Sequence, residues 1–547
     1  MRWVDQTLKL RRPATGAPLR AGLWLESRRG LPWVAETIRS IRSTLGLELV
    51  AVFSDEAADP GVAPGGLLWR LYQQRNLRTA SGDEPLRPLD LGPCLEGVAV
   101  RPAADLNRKV LAELNLDVLI SLVSQPRSGD CQGWARYGVW SFAFGARQYS
   151  RLPFYFWEIE QGDAVSELVL LLHPERLEEG RVIYRYQAAT RPGWQYATNA
   201  VEPLSMAAVV VIRRLLDVQE GGWDALTGLP VWREGPVPVR PRAGYPGTWT
   251  LVRFLAARLA HQIQRHIIAW RGEPKWFVCL RRNRESFLTR RPRFQPDGFT
   301  AIPNPAHSTL ADPFLIRREG RTFLFVEEIV TATSRGHLSA CEVLPGGLAP
   351  FVQVLRKPFH VSYPCVLELD GEVFLLPETA ENRTVELYRA EEFPRRWQLV
   401  KEYQTGIVLV DTTPFFHQGV WYFFTSTVDE ITGCWLETWL FYSDRLDGAW
   451  RYHPRNPICS DARRARSAGH LLHRHGQLIR PAQDCTVRYG YAITLNEVLA
   501  LSPTEYEERL AEVILPNWMP GIFASHTLNA LDDIEVIDAT RIPQSRL

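Results

Sequence analysis

Four glycines sit at equivalent places in four look-alike segments: Gly320 in IRREGRTFLFVEE, Gly371 in LELDGEVFLLPE, Gly419 in FFHQGVWYFFTST and Gly476 in LHRHGQLIRPAQD. They recur roughly every 50 residues, and strand–turn–strand units at that period build a β-propeller with one blade per repeat. The repeat also predicts a register. Eight residues before the glycines stand Asp312, Tyr363, Asp411 and Ala468, and seven after them stand Glu327, Glu378, Ser426 and Gln483. A regular hairpin folds position −8 against position +7, so these residues are expected to share one end of their blades. Radial packing would then gather Asp312, Glu327, Glu378 and Asp411 around one mouth of the axial channel. That carboxylate-lined opening is the main functional expectation.

The blades are expected at about 306–358, 359–408, 409–458 and 463–517. A fifth would be completed by GIFASHTLNALDDIEVIDAT together with PKWFVCLRR (274–282), so that strands from both ends close the ring. HLSACEVL, TVELYRA, WLETWLFYS and YGYAITLNEV have the β-branched and aromatic character of outer strands. Tyr363 shares the register of the two aspartates and is counted among substrate contacts. Strand alternation should split Glu327 and Glu328, one toward the channel and one toward solvent. Arg480, Asp484 and Arg488 in IRPAQDCTVR would hold a sulfate, phosphate or uronate, or else pair internally. His526 in ASHT stands near the place of Asp312 and Asp411 in their blades, although a lone histidine is more often structural. Asp312 before Pro313, and Asp411 before Thr412, also have the option of simply capping a turn.

With 547 residues the chain needs more than one domain. Residues 20–55 read strand, helix, strand; LNRKVLAELNLDVLISLV repeats helix then strand; GVWSFAF, SELVLLL and GRVIYRY add further strands. This alternation predicts a doubly wound α/β domain over 18–232, with any site at the carboxyl ends of its strands. A Pro/Gly-rich linker and helix follow over 233–270, and the all-β propeller occupies 271–547. A net charge of +2, from 63 basic and 61 acidic residues, gives no reason to expect nucleic acid as a partner. The arginine clusters at 281–284 and 290–293 read as solvated surface. The eight cysteines form no CxxC pair, so neither a disulfide framework nor a metal site is expected. MRWVDQTLKLRR lacks a secretory apolar core and no apolar run approaches transmembrane length. A cytoplasmic protein of bacterial type, without an integral membrane segment, is the expectation. TWTLVRFLAARLAHQIQRHIIAW (248–270) has helical periodicity with basic residues on one side. It suits a peripheral membrane contact, or more commonly a helix packed between domains.

The stretch from about 20 to 215 resembles the formyltransferase family, carried by LPWVAETIRSI, LNLDVLISL, GVWSFAFGARQYSRLPFYFWEIEQGD and LEEGRVIYR. The resemblance implies an Asn-x-His pair that polarises the formyl carbonyl, and an Asp that orients the His. Here Ser141 stands at the Asn position, Ala143 at the His position, and Glu178 or Glu179 at the Asp position. Alanine neither donates a hydrogen bond nor takes a proton, so formyl transfer is not expected. Folate binding is doubtful at SQPRSGD (124–130), and no cofactor is assigned. A degenerate scaffold is the expectation, with a retained pocket for a nucleotide-sugar as the middle case between that and an active enzyme.

ADPFLIRREGRTFLFVEE and VDTTPFFHQGVWYFF resemble inner strands of the five-bladed propellers of arabinanase-, xylosidase- and invertase-like glycoside hydrolases. That resemblance implies Asp312 as base or nucleophile, Glu378 as acid and Asp411 as a modulator of their proton affinities. Over about 270–540 the chain also resembles the N-terminal domain of plant glucosamine inositolphosphorylceramide transferase. ADPFLI with FVEE, SYPCVLELDGEVFLLPETAENRTVELYRA, VDTTPFF and IRPAQDCTVRYGYAITLNEV carry that likeness. The plant family's separate glycosyltransferase domain has no counterpart in these residues, so ceramide glycosylation is not expected. The leading functional expectation is processing of a glycan or nucleotide-sugar at the propeller mouth. Its rivals are a non-catalytic glycan-binding or scaffold module, and formyl transfer to an amino sugar.

Overall fold

The computed structural model describes residues 16–54, 66–76, 84–123, 129–145, 154–238, 245–272, 274–282, 293–295, 297–404, 407–428 and 435–542. Most of the 290–293 arginine cluster, most of the SQPRSGD segment, the extreme N-terminus and part of the proline-rich linker lie outside these residues. The chain divides into two compact units, Met1–Ile263 and Gln264–Leu547.

The first unit holds an eight-stranded sheet in the order Pro236–Pro238, Glu179–Ala189, Val165–His173, Val139–Phe144, Val118–Ser121, Leu19–Leu25, Leu47–Ser54, Ala99–Pro102. The last five run parallel, and the first three are added antiparallel at one edge. The sheet is therefore mixed and mostly parallel rather than parallel throughout. Strands such as VLIS are buried at every position, which is the signature of a parallel strand covered on both faces. Helix Pro32–Ser43 begins with Pro32, whose missing N–H costs nothing at a helix start, and it buries Trp33, Val34, Ile38 and Ile41. Helix Tyr196–Gly221 is buried along most of its length because apolar residues surround it on nearly every side.

The second unit is a five-bladed β-propeller. Its sheets are built on hairpins Ser308–Arg318/Arg321–Val330, Ser362–Leu369/Glu372–Thr379, Leu409–His417/Val420–Val428 and the strands flanking Gln477–Asp484. In the fifth, Lys275–Arg282 pairs antiparallel with Ile534–Arg541, so strands from the two ends of the unit close the ring as the sequence predicts. The repeated glycines have a physical cause. Each is preceded by a residue that also has positive φ: Glu319 (50°) before Gly320 (74°), Asp370 (52°) before Gly371 (78°), Gln418 (49°) before Gly419 (82°) and His475 (50°) before Gly476 (79°). Two consecutive left-handed residues match a type I′ turn, whose twist suits the flanking strands, and glycine is favoured at its second position.

Blade-to-blade packing forms the core. Phe314, Phe325 and Leu338 of the first blade pack with Tyr363, Cys365 and Leu375 of the second. Ile479, Ile493 and Leu495 of the fourth pack with Cys279, Leu528 and Ile537 of the fifth.

The register differs from expectation by one residue. Ala311 pairs with Glu327, Ser362 with Glu378, and Val410 with Ser426, so position −9 opposes +7. Position −8 sits in a β-bulge in each of the first three blades, where pairing skips from Ala311 to Phe314, Ser362 to Cys365 and Val410 to Thr413. Asp312, Tyr363 and Asp411 all adopt left-handed backbone there, with φ of 48°, 47° and 52°. Such a bulge re-aims a side chain out of the ladder, and left-handed φ is a strained choice for a bulky tyrosine. The repeated strain marks the axis-facing end of the blades.

Candidate functional site

The bulges let neighbouring blades bond to one another around the propeller axis. The Asp312 backbone N–H donates to Asp538 Oδ2 of the fifth blade at 3.1 Å, and the Tyr363 N–H donates to Asp312 Oδ2 at 3.1 Å. The Tyr363 phenol meets Thr413 Oγ1 at 2.8 Å and accepts from the Gly469 N–H at 2.9 Å. Tyr363 is fully buried. It ties blades two, three and four together, and is thereby removed from the substrate contacts that its register suggested.

Asp312 is equally committed. Its Oδ1 accepts from Thr527 Oγ1 at 2.7 Å, and His526 Nδ1 lies 3.7 Å away. His526 Nδ1 is closer to Asp538, at 2.6 Å from Oδ2, while Asp538 Oδ1 accepts the backbone N–H groups of His526 and Thr527, both at 2.9 Å. Burial pushes the Asp312 carboxyl up to about 7; His526 counters the rise, and the nearby carboxylates of Glu327, Asp538 and Asp411 add to it. Burial also opposes charge on His526, but Asp538 and Asp312 outweigh it and raise the imidazole to about 9. The side chains of Asp312, His526 and Asp538 converge as a metal-binding set would. The His526 ring, the Thr527 hydroxyl and backbone N–H groups already donate to the two carboxylates, so the geometry fits a hydrogen-bonded triad better than a cation cage.

Beside this triad lies a second knot. Arg466, from the fourth blade, bonds both oxygens of Asp411, the Oδ1 contact being 3.2 Å, and its Nη2 reaches Glu378 Oε2 at 3.3 Å. Gln483 Nε2 donates to Asp411 Oδ2 at 3.3 Å. Burial, followed by repulsion from Asp411, holds the Glu378 carboxyl well above the usual range. Arg466 opposes that rise, and a hydrogen bond to Asp411 reinforces it. Glu378 therefore binds a proton more readily than a free carboxyl does, with Asp411 as its hydrogen-bonded neighbour.

Glu327 faces the second blade, where His360 Nε2 lies 3.0 Å from Oε1. Gly336 makes room for that carboxylate, since a Cβ there would sit 2.3 Å from Glu327 Oε1 and 2.8 Å from Val361 O. The Glu327 bond raises the His360 proton affinity. Alternation turns Glu328 to the other face. There it accepts from Ser308 and Ser339, both at 2.7 Å, with His337 at 3.4 Å, and His337 leads in lowering its carboxyl to about 2.

The structure thus brings Asp312, Glu327, Glu378, Asp411 and His526 into one electrostatic group. Beyond Tyr363 and Glu328, it leaves out three more candidates. Arg480 is buried in the fourth blade, donating to Glu508 at 2.7 and 2.8 Å and to the Arg464 carbonyl at 3.0 Å. Asp484 caps a turn by accepting from the Thr486 N–H at 2.9 Å and hydroxyl at 2.6 Å. Arg488 stacks on Phe523 and donates to its carbonyl at 2.8 Å. A cleft of ≈ 630 Å³ opens between blades one and two beside Arg318, Gly371 and Pro394. It lies at the glycine-turn end of the strands, opposite the carboxylates.

Four participants escape the glycine register: Arg466, Asp538, Trp276 and Tyr489. Trp276 stacks on His526 at 4.0 Å between centroids and meets Tyr489 edge-on at 6.2 Å. Arg466 lies 5.0 Å over the Tyr489 ring. Tyr489 is 37% exposed and Trp276 half-buried, so together they form an aromatic wall beside the carboxylates.

In the α/β unit, Ser141 Oγ meets His173 Nε2 at 2.7 Å, and His173 Nδ1 faces the Glu179 carbonyl at 2.9 Å. The carbonyl fixes the Nδ1–H tautomer, leaving Nε2 to accept from serine. Burial lowers the His173 proton affinity. Ala143 packs against Val169, Leu171 and Val182, and Glu178 accepts the Gly129 N–H at 3.0 Å. His173 comes from the adjacent antiparallel strand, a placement that a motif reading along one strand does not reveal.

Residues 300–524 match the family described as glucosamine inositolphosphorylceramide transferase 1, N-terminal. The glucosamine inositolphosphorylceramide transferase 1 of Arabidopsis thaliana is 34% identical over 209 residues, covering 36% of this chain and 26% of its own length. That of Oryza sativa subsp. japonica is 32% identical over 206 residues, covering 36% and 27%. The chain spans about a quarter of the length of the curated relatives it matches. Its propeller region is homologous to the N-terminal part of a protein named for a carbohydrate. Among solved structures, a family 117 glycoside hydrolase from Zobellia galactanivorans is similar over 50% of this chain and 92% of its own, at 11% identity and a TM-score of 0.31. An exo-β-1,3-galactanase from Clostridium thermocellum is similar over 39% and 53%, at 12% identity and a TM-score of 0.31. Overlap this partial carries no inference about chemistry.

Proposed function

We propose that the axial end of the propeller is a carbohydrate-recognition site that prefers an amino sugar. One observation carries the reading. Five carboxyl groups (Asp312, Glu327, Glu378, Asp411, Asp538) face three cationic partners (Arg466, His526, His360) next to the half-open Trp276–Tyr489 wall. Crowded carboxyls in excess hold protons that they would release to a ligand bearing positive charge, and they repel phosphate or uronate. Aromatic faces suit the C–H face of a pyranose. The glucosamine in the relatives' name fits this balance. Asp312, Asp411 and Arg466 are tied into the framework, so Glu378 is the group placed to meet sugar hydroxyls or an ammonium.

The test is isothermal titration of the full chain with glucosamine oligomers. Glu378→Gln and Tyr489→Ala are each expected to weaken binding about tenfold or more, with unchanged melting temperature. Binding that neither substitution alters overturns the reading. The raised proton affinity of Glu378, which sits between Arg466 and Asp411, favours a second reading, in which Glu378 is a general acid for glycosyl chemistry. That reading requires turnover of an aryl glucosaminide that Glu378→Gln abolishes while binding persists.

For the α/β unit, the proposal is a formyltransferase-like scaffold that transfers no formyl group. Ala143 supplies no donor, and the Ser141 hydroxyl is engaged by His173. Formyl-folate incubated with the chain and an amino sugar is expected to remain unconsumed; measured turnover contradicts the proposal.

A further inference from the structure

Helix Thr248–Arg271 carries two apolar faces, and the α/β unit uses one of them. Leu251 and Phe254 are buried, Phe254 lying 4.7 Å from the Phe156 ring. A second stripe faces solvent: Trp249 is 84% exposed, Val252 45%, Leu259 52%, Ile263 51%, Ile267 48% and Trp270 78%. At about 100° per residue these six fall within one arc roughly 80° wide, running the length of the helix. Ala256 within the arc and Ala260 just beyond its edge are also exposed. A chain that left so many large apolar groups in water along a single line would be prone to self-association, which marks the stripe as an interaction surface.

Charge selects the partner. The helix contains no Asp or Glu, and it carries Arg253, Arg258, Arg265 and Arg271 with His261 and His266, of which Arg253 pairs with Glu160 of the α/β unit. The whole chain is nearly neutral at +2, so this is a local concentration of positive charge. Pairing two copies of the helix would bring like charges together, whereas an anionic surface complements them. Tryptophans stand at the two ends of the stripe, about 31 Å apart at 1.5 Å per residue, where their amphipathic rings favour a lipid headgroup region. No helix among the described residues is long and apolar enough to cross a membrane. An apolar stripe bordered on one side by Arg253 and Arg271, on a helix without acidic residues, suits a helix lying flat in the interface instead.

We propose that Thr248–Arg271 binds the surface of an anionic lipid bilayer, seating Trp249, Val252, Leu259, Ile263, Ile267 and Trp270 at the acyl boundary. The inference stands apart from the carbohydrate site and does not depend on it. In co-sedimentation, the full chain is expected to bind vesicles of mixed phosphatidylglycerol and phosphatidylcholine about tenfold or more better than phosphatidylcholine alone, and to release as salt is raised. The double variant Ile263→Glu/Ile267→Glu should lose this binding about tenfold or more while keeping the wild-type circular dichroism and melting temperature, because both positions are solvent-exposed. Tryptophan emission should shift to the blue on vesicle addition in the wild type and stay fixed in the variant. Failure to bind anionic vesicles overturns the proposal, as does binding that the double variant retains. A wild-type dimer in light scattering that the double variant converts to monomer overturns it too, because the stripe would then be covered by a second copy.

Discussion

Arg466→Met is expected to lower folding stability by roughly 3–5 kcal/mol at neutral pH, because it strips the cation from two buried carboxyls at once. Arg466 is 8% exposed and bonds Asp411 and Glu378 from two other blades. Methionine fills similar volume, so the loss reports charge rather than a cavity. The sign of the pH dependence follows from the raised proton affinity of Glu378. A carboxyl whose folded affinity is raised binds more protons folded than unfolded, so its contribution is retained at low pH and lost as pH rises. Without Arg466 that imbalance grows. The deficit relative to the wild type should therefore shrink from neutral toward mildly acidic pH. Urea denaturation of both proteins at the two pH values checks this, and equal stability at neutral pH would show that the knot is not coupled as described.

Gly469→Ala should be nearly as damaging, about 3 kcal/mol or more. Gly469 has φ of 125°, and a Cβ built there lies 2.3 Å from the Leu528 carbonyl oxygen and 3.0 Å from the Asn529 side chain. Backbone of the fifth blade cannot yield as a side-chain tip would. The same residue donates its N–H to the Tyr363 phenol, so the substitution strikes the bonds that join blades two and four across the axis. Tyr363→Phe, which removes the phenol without a clash, should cost less, about 1–3 kcal/mol, by leaving the Gly469 N–H unpaired. Thermal and urea unfolding of the two variants give the order directly. An alanine variant as stable as the wild type would contradict the close approach at the axis.

The ring of blades was legible because a type I′ turn leaves a glycine that recurs at a fixed spacing. The fifth blade turns instead through Asp532 and Asp533, with Asp532 at φ of 53°, and so carries no glycine mark. Asp538 was missed for that reason. The register slipped by one residue because counting assumes an unbroken ladder, whereas the extra residue of each bulge is silent in composition. The Asp312-Pro313 and Tyr363-Pro364 pairs are a partial trace of it, since a residue before proline avoids right-handed helical backbone, whereas Asp411-Thr412 carries no such mark. Carboxylates were found by type and position. Their cations were not, because Arg466 lies two residues outside the counted position, and its role depends on which blades adjoin. Arg480 and Asp484 looked equally functional, yet satisfy Glu508 and Thr486 within their own blade. In the α/β unit, Ser141 and Ala143 fall on one strand, but His173, the partner of Ser141, comes from a neighbouring strand.

Charge selectivity at the axial carboxyls is the most direct probe of the account. Titrating the chain in parallel with glucosamine oligomers, their N-acetylated counterparts and a uronate oligomer separates recognition of a cation from recognition of a pyranose. The account predicts the glucosamine series to bind tightest, the N-acetylated series about tenfold weaker, and the uronate not measurably. Tighter binding of the uronate, or equal affinity for all three, would contradict it.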